Sequence, residues 1–262
     1  MNQQKIYLLF LFSILFTSCI PTKDLIYLQK NGDSKNEIIE QVQQKPYRLQ
    51  TNDILMITIK AIDSKLVELF NTSSGQNALA ASDAVNYFTG YSVDDHGNIR
   101  LPILGEINVL GYTIEEVIIK IEKLLNEKYF KKEAEIFVVV KLSGFRYTIN
   151  GEVEISGTKV LYQDKVNIME AIANSGDITI TGDRKDVKVI RRYPQGSETF
   201  SIDLTDSNAT SSPCFYLQPN DYIYVKPLKQ KAWGTGKTGI ESLTTVITLL
   251  SLVTTTYLLL RN

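Results

Sequence analysis

The chain has 262 residues, of which 44% are hydrophobic and 22% are charged. This balance is ordinary for a globular protein of one or two domains, and it excludes disordered, collagen-like and polytopic membrane proteins. The 28 basic and 29 acidic residues nearly cancel, so a nucleic-acid-binding protein, which would carry a basic surplus, is not indicated. Because there are only two Cys and one His, a zinc site is almost excluded, and no metal or other cofactor is expected.

The N-terminal segment is predicted to be an export signal. Residues 6–16 form an apolar run with one Ser, which is too short for a bilayer span of about 20 residues but typical of a secretory signal. The small residues Thr17 and Ser18 then precede Cys19, an arrangement that resembles the bacterial lipobox. This resemblance implies that residues 1–18 are removed and that acyl chains such as palmitate anchor Cys19 in a membrane. The alternative is an ordinary cleaved signal followed by a chance Cys.

A polar tether with at most one short element is predicted for residues 20–45, and a first block of mixed structure follows it. This block contains a strand at 55–60, and turn-forming residues that predict a hairpin within 91–105. A capping box at Thr113–Glu116 predicts the start of an amphipathic helix. A buried-type strand at 136–141 ends the block.

The second block repeats this mixture of short strands and one helix. A capping box at Asn167–Glu170 predicts a short helix. Alternating or β-branched runs, bounded by turn residues, predict strands at 147–153, 187–192, 198–203 and 222–226. Both blocks are therefore predicted to be α+β.

Several stretches, taken in their order, resemble the outer-membrane polysaccharide export proteins, the Wza-type capsule translocons. The first block is similar to their export domain, and the second to the β-grasp-like SLBB (soluble ligand-binding) domain. Three positions depart from the family. Asn52-Asp53 and Asn220-Asp221 stand where Gly-Asp is commoner, and Ile155-Ser156-Gly157 stands where the family often has Pro-Gly. The similar stretches are Tyr47 to Leu55, Val93 to Gly105, Val109 to Glu116, Ile149 to Val153, Asn174 to Asp177 and Leu217 to Val225.

The sequence and the resemblance together predict an α+β protein with a small export domain, one SLBB domain and a C-terminal amphipathic transmembrane helix. The expected divisions are 1–18 for the lipoprotein signal peptide, 19–45 for the lipidated N-terminus and tether, 46–142 for the export domain, 143–228 for the SLBB domain, and 229–262 for an elbow and the C-terminal helix.

The C-terminal segment carries the main mechanistic prediction. Residues 240–260 include one charged residue, Glu241, and as a helix they would extend about 31 Å, close to the bilayer's hydrocarbon thickness. Trp233 and Arg261 flank the segment as expected membrane-interface anchors. A helical wheel places most of the hydroxyl side chains on one face. The predicted pore-lining residues on that face are Thr244, Thr245, Thr248, Ser251 and Thr255.

Three interpretations of this hydroxyl face remain open. In a ring of identical chains it would line a wet lumen, where hydroxyls bind water or sugar without a fixed charge. It could instead mediate ordinary helix–helix packing. It could also belong to a single anchoring helix whose Thr side chains bond to their own backbone.

No catalytic pair was found, so the chain is not expected to be an enzyme. The predicted function is a homo-oligomeric outer-membrane lipoprotein channel that exports capsular polysaccharide or exopolysaccharide from the periplasm to the cell surface. The resemblance implies a ring of about eight subunits and an inner-membrane co-polymerase, often a tyrosine autokinase, as partner. The alternative is a monomeric periplasmic lipoprotein that binds a soluble glycan through the SLBB domain.

Overall fold

The computed structural model describes residues 21–30, 46–71, 88–130, 134–193 and 195–232, together with 244, 247–255 and 259. The described part is mixed α+β, as predicted. Its strands are β1 (Ile54–Lys60), β2 (Tyr91–Ser92), β3 (Asn98–Leu101), β4 (Gly105–Asn108), β5 (Phe137–Leu142), β6 (Phe145–Gly151), β7 (Gly157–Leu161), β8 (Gly182–Tyr193), β9 (Gly196–Ile202) and β10 (Tyr222–Pro227). Its helices are α1 (Ile114–Lys128), α2 (Ile168–Ala173) and α3 (Lys229–Ala232), and the described residues after 243 are also helical. There are 3-10 turns at Thr22–Asp24, Ser64–Leu66, Glu68–Phe70 and Ser207–Ser211.

Strands β1 to β5 and helix α1 surround one hydrophobic core, and we call this part module one. The sheet order is β2-β1-β5, with antiparallel pairing throughout. Helix α1 begins at the predicted capping box, in which the Thr113 N–H donates to Glu116 Oε2 (2.8 Å) and the Glu116 N–H donates to Thr113 Oγ1 (3.2 Å). The predicted apolar stripe is confirmed, because Val117, Ile121 and Leu125 are fully buried.

The predicted hairpin around Asp94 and Asn98 is wrong in its pairing. The turn itself forms, since Asp94 Oδ1 accepts the backbone N–H groups of His96 (2.9 Å) and Asn98 (2.8 Å). However, β2 on one side of this turn pairs with β1, whereas β3 on the other side pairs with β4. The paired hairpin is therefore β3–β4, which turns at residues 102–104.

Strands β6 to β10 and helix α2 surround a second core, and we call this part module two. The sheet order is β7-β6-β10-β8-β9, in which β6 and β10 run parallel and all other neighbours run antiparallel. The predicted capping box at the start of α2 is confirmed at Asn167 and Glu170. Tyr147, fully buried in β6, donates its hydroxyl to the Ala171 carbonyl of α2 (3.0 Å) and so ties the helix to the sheet.

Residues 21–30, which we call the strap, lie against module two. The backbone N–H of Leu28 donates to the Leu204 carbonyl (3.0 Å), and that of Gln29 donates to the Thr205 carbonyl (2.7 Å). Gln29 also forms a parallel bridge with Asp206. The strap thus continues the backbone hydrogen bonding of module two, although module one separates the strap from module two in the sequence.

Candidate functional site

The hydroxyl face predicted at the C-terminus lies partly within the described residues. Residues 244, 247–255 and 259 are helical, and this helical segment includes Thr244, Thr248, Ser251 and Thr255. The other predicted site residues lie outside the part of the chain that the structure describes. They are Cys19, Trp233, Thr245 and Arg261.

The hydroxyls of this face donate back into the helix. Thr248 Oγ1 donates to the Thr244 carbonyl (2.6 Å), and Thr255 Oγ1 donates to the Ser251 carbonyl (2.6 Å). Ser251 Oγ donates to the Thr248 carbonyl (2.8 Å). Because each donor is satisfied within the helix, the hydroxyl oxygens keep acceptor capacity for water or sugar. This bonding is common to the lumen-lining and anchoring interpretations, so the oligomeric state of the chain decides between them.

Apolar side chains are exposed on the same helical segment. Ile247, Leu249, Leu250, Val253 and Leu259 are each more than two-fifths exposed in the single chain. None of the helices within the described ranges is both long enough and apolar enough to span a membrane.

Two turns of the same sequence pattern lie at the contact between the modules. Each reads Gln-x-Asn-Asp, at Gln50–Asp53 and at Gln218–Asp221. In each turn the Gln N–H donates to the Asp carboxylate, at 2.8 Å in the first and 2.7 Å in the second. Asn52 and Asn220 adopt left-handed backbone conformations with φ of 69° and 67°, which Asn tolerates better than most residues. Each turn leads directly into a strand, β1 or β10.

These turns form a joint between the modules. Asn220 Nδ2 donates to Asp53 Oδ1 (3.2 Å), and the Tyr47 hydroxyl donates to Asp53 Oδ2 (2.7 Å). A second hydrogen bond between the modules runs from Gln50 Nε2 to the Arg192 carbonyl (3.3 Å). A cavity of about 60 Å³ adjoins the joint and is lined by residues of both modules, among them Asn52, Ser143, Arg146 and Pro219.

The two buried carboxylates of the joint have different partners. Asp221 forms a bidentate ion pair with Arg191, at 3.0 Å from Nε and 2.8 Å from Nη2, and both side chains are almost fully buried. Burial opposes the charge of Arg191, but the Asp221 carboxylate outweighs that effect and raises the pKa of the guanidinium. Asp53 forms no salt bridge with any described residue. Burial therefore raises the pKa of Asp53, and its three neutral donors offset this only in part.

An Asp53→Asn substitution is expected to stabilise the protein at pH 7. The raised pKa means that Asp53 favours the folded state when protonated. The stability that protonated Asp53 contributes is fully present below the ordinary Asp pKa of about 3.9. It is lost as the pH rises through the higher pKa of Asp53 in the folded state. An Asn side chain carries no charge to bury, and the Asn220 amide can rotate to accept from it.

Chemical unfolding of both proteins across the acidic to neutral range checks this prediction. The free energies of unfolding should agree at low pH and diverge as the pH rises, with the variant more stable. An equal pH dependence in the two proteins would contradict the assignment of the raised pKa to Asp53.

His96 and Cys214 are two further residues whose side chains could carry chemistry. His96 lies in the polar turn described above. Cys214 is fully buried, and burial raises the pKa of its thiol, as expected for a small hydrophobic residue rather than a nucleophile. Across the described ranges, no cluster of three or more His, Cys, Asp or Glu side chains is placed to hold a metal ion.

Part of the chain matches a known family. Residues 41–141 match the family of polysaccharide biosynthesis/export proteins. Through this segment, the chain is similar to the polysaccharide export family. The match covers module one and its half of the joint, including Tyr47 and Asp53.

Two curated relatives of the export family extend the similarity beyond module one. Both are named EPS I polysaccharide export outer membrane protein EpsA. The protein from Ralstonia solanacearum is 28% identical over 199 residues, which cover 73% of this chain and 51% of that protein. The one from Ralstonia nicotianae is 28% identical over 148 residues, covering 56% of this chain and 39% of that protein. The chain thus spans about half the length, or less, of the curated relatives it matches.

Sequence reasoning did not identify the joint between the modules as a site. The sequence did contain a signal for this joint, because both Asn-Asp pairs depart from the Gly-Asp that is commoner in the family. The repetition of the full Gln-x-Asn-Asp pattern, and the Tyr six residues before the first Asp, could have pointed to a shared structural role.

Proposed function

We propose that this protein forms a homo-oligomeric channel that exports capsular polysaccharide or exopolysaccharide through the outer membrane. Its location is the outer membrane, which both relatives carry in their names. The parallel pairing of β6 and β10 at the centre of module two supports a β-grasp-like SLBB domain over residues 143–228. Module one would be the export domain over residues 46–142, and Cys19 would carry the lipid.

The observation that carries the channel proposal is the C-terminal helical segment. Its apolar side chains are exposed in the single chain, and water-exposed apolar surface of this kind is usually covered by lipid or by another protein. Its Thr and Ser side chains offer acceptors without charge, which suits a polymer that must pass without sticking. A ring of such helices would turn the hydroxyls inward and the apolar side chains toward lipid, with Trp233 and Arg261 at the membrane interfaces.

Transport through such a ring would require no chemistry from this chain. Polymer synthesis behind the channel would drive the flux, and an inner-membrane co-polymerase, such as a tyrosine autokinase, would meet the periplasmic end. The proposed partners are therefore further copies of the chain, the polysaccharide and that co-polymerase.

Removal of the C-terminal segment is expected to abolish the membrane-spanning part of the oligomer. We would compare the full detergent-extracted protein with a chain ending at Lys231, which retains the contact between Lys231 and Glu152. Mass photometry and negative-stain imaging should show a ring with a central stalk for the full protein and loss of the stalk for the shorter chain.

A monomer in both preparations would contradict the channel. The monomeric glycan-binding lipoprotein would then be the better account. A Cys19→Ser variant provides a matched control, because it should lose the lipid and yet keep the stalk.

A further inference from the structure

The strap brings the N-terminal end of the described chain to one end of β8. Asp24 forms an ion pair with Lys185 (2.6 Å), near the start of that strand. The Tyr27 hydroxyl donates to Asp177, and the Arg184 guanidinium lies 5.3 Å from the centre of the Tyr27 ring. These contacts fix the position of Pro21, which lies two residues after Cys19.

The chain also leaves module two at this end of β8. Pro227, at the end of β10, pairs with Gly182 at the start of β8. The backbone N–H of Leu228 then donates to the Thr181 carbonyl (2.8 Å). From there α3 leads toward the C-terminal segment.

The described residues from which the chain continues toward Cys19 and toward the C-terminal segment are therefore close together. Thr181 and Lys185 are four residues apart at the start of an extended strand, which corresponds to about 13 Å. Two residues of chain reach at most about 7 Å beyond Pro21 to Cys19. Both attachments thus leave module two from one small area.

The loop in this area is rigid and presents an apolar side chain. The hydroxyls of Thr179 and Thr181 both donate to Glu152 Oε2, at 2.9 and 2.6 Å. Arg184 donates to the Thr179 carbonyl (3.1 Å). Ile180, held between these contacts, is 53% exposed. An apolar side chain on a fixed loop can enter a lipid surface with little loss of conformational entropy.

We propose that the loop of residues 178–181 contacts the phospholipid surface of the outer membrane, with the Ile180 side chain among the headgroups. This inference rests on the lipid anchor and outer-membrane location of the proposed function. It adds a defined membrane-facing end of module two and a residue that touches lipid. The occupant is lipid rather than another protein, because both membrane attachments leave the fold beside this loop.

The test uses the full-length protein with a single fluorescent label. Ile180→Cys and Ser197→Cys variants would each carry an environment-sensitive nitrobenzoxadiazole dye. Ser197 is an exposed control in β9. It pairs with Arg192, which lies about 33 Å along β8 from Gly182. Cys214 is fully buried, and a lipid-modified Cys19 has no thiol, so the parent protein should take up no dye. Labelling of Cys19 in the parent would show that the lipoprotein part of the proposed function fails.

Each labelled protein would be incorporated into vesicles of equimolar phosphatidylethanolamine and phosphatidylglycerol. We expect roughly a two-fold rise in emission at position 180, because lipid excludes water from the dye, with quenching by spin-labelled headgroups. Position 197 should show neither effect.

The other outcomes separate this inference from the function on which it rests. In one case the protein floats with the vesicles while neither label is quenched, or while only the label at position 197 is quenched. Either result overturns this inference and leaves the anchored channel standing. Brighter emission at position 180 without lipid quenching would indicate a protein neighbour and would also overturn it. Failure of the protein to float with vesicles would overturn both proposals.

Discussion

Replacing Asp221 with Asn is expected to lower the free energy of unfolding by about 3–5 kcal/mol, because the substitution leaves the buried Arg191 without its carboxylate. The Gln218 N–H can still donate to the new amide oxygen, so the turn keeps its local hydrogen bond. The loss therefore reports the ion pair rather than the turn. Chemical unfolding followed by far-UV circular dichroism measures it.

Two comparisons make this prediction specific to the ion pair. Asp53→Asn is the matched control, since it changes the equivalent residue of the twin turn, where no described cation pairs with the carboxylate. A double-mutant cycle with Arg191→Met should show strong coupling between residues 191 and 221. A loss below about 1 kcal/mol, as for an exposed ion pair, would show that this pair does not stabilise module two.

Gly151→Ala is expected to destabilise module two by about 3 kcal/mol or more. Gly151 ends β6 with φ of 95°, and a Cβ atom added there would lie 2.0 Å from the Val225 carbonyl oxygen of β10. The clash is with backbone in the central parallel pair of the sheet, so it cannot be relieved by a side-chain rotation. Either β6 or β10 would have to move.

Gly157→Ala separates this clash from backbone strain. Gly157 begins β7 with a positive φ of 134°, but a Cβ atom there would meet nothing within 4 Å. This control substitution should lower the free energy of unfolding by only about 1–2 kcal/mol, because it introduces the strain of the positive φ without a clash. Thermal unfolding measures the loss of stability in each variant. Equal losses in Gly151→Ala and Gly157→Ala would contradict the packing argument.

Local signals in the sequence predicted most of the regular elements correctly. Both capping boxes, at Thr113 and Asn167, formed as expected because they depend on residues only three positions apart. The stripe of α1 was also predictable, because one helical period determines which side chains reach the core. In each case the physical cause lies within a single turn or helix.

The features that sequence reasoning missed depend on distant partners or unusual backbone. The β3–β4 hairpin turns at residues 102–104, where Ile103 has φ of 65°, a conformation that is rare for a β-branched residue. The polar turn at Asp94 gave the stronger local signal, although it joins strands of different sheets. The joint likewise requires Asp53 and Asn220 to meet, and no local pattern specifies that contact. The proposed pore face depends on neighbouring copies, so neither the sequence nor one chain determines it.

The strap also constrains the order in which the chain can fold. Leu28 bonds to Leu204, so a polypeptide that emerges N-terminus first cannot close this contact until nearly all of module two has followed. The intervening loop contains module one, whose own compact folding shortens the effective loop and reduces the entropy lost on closure. Module one should therefore fold early through its nearer contacts, and strap docking should be among the last and slowest steps. If Cys19 carries a lipid as proposed, the chain would remain loosely tethered during that interval, with time to meet other copies before the strap docks on module two.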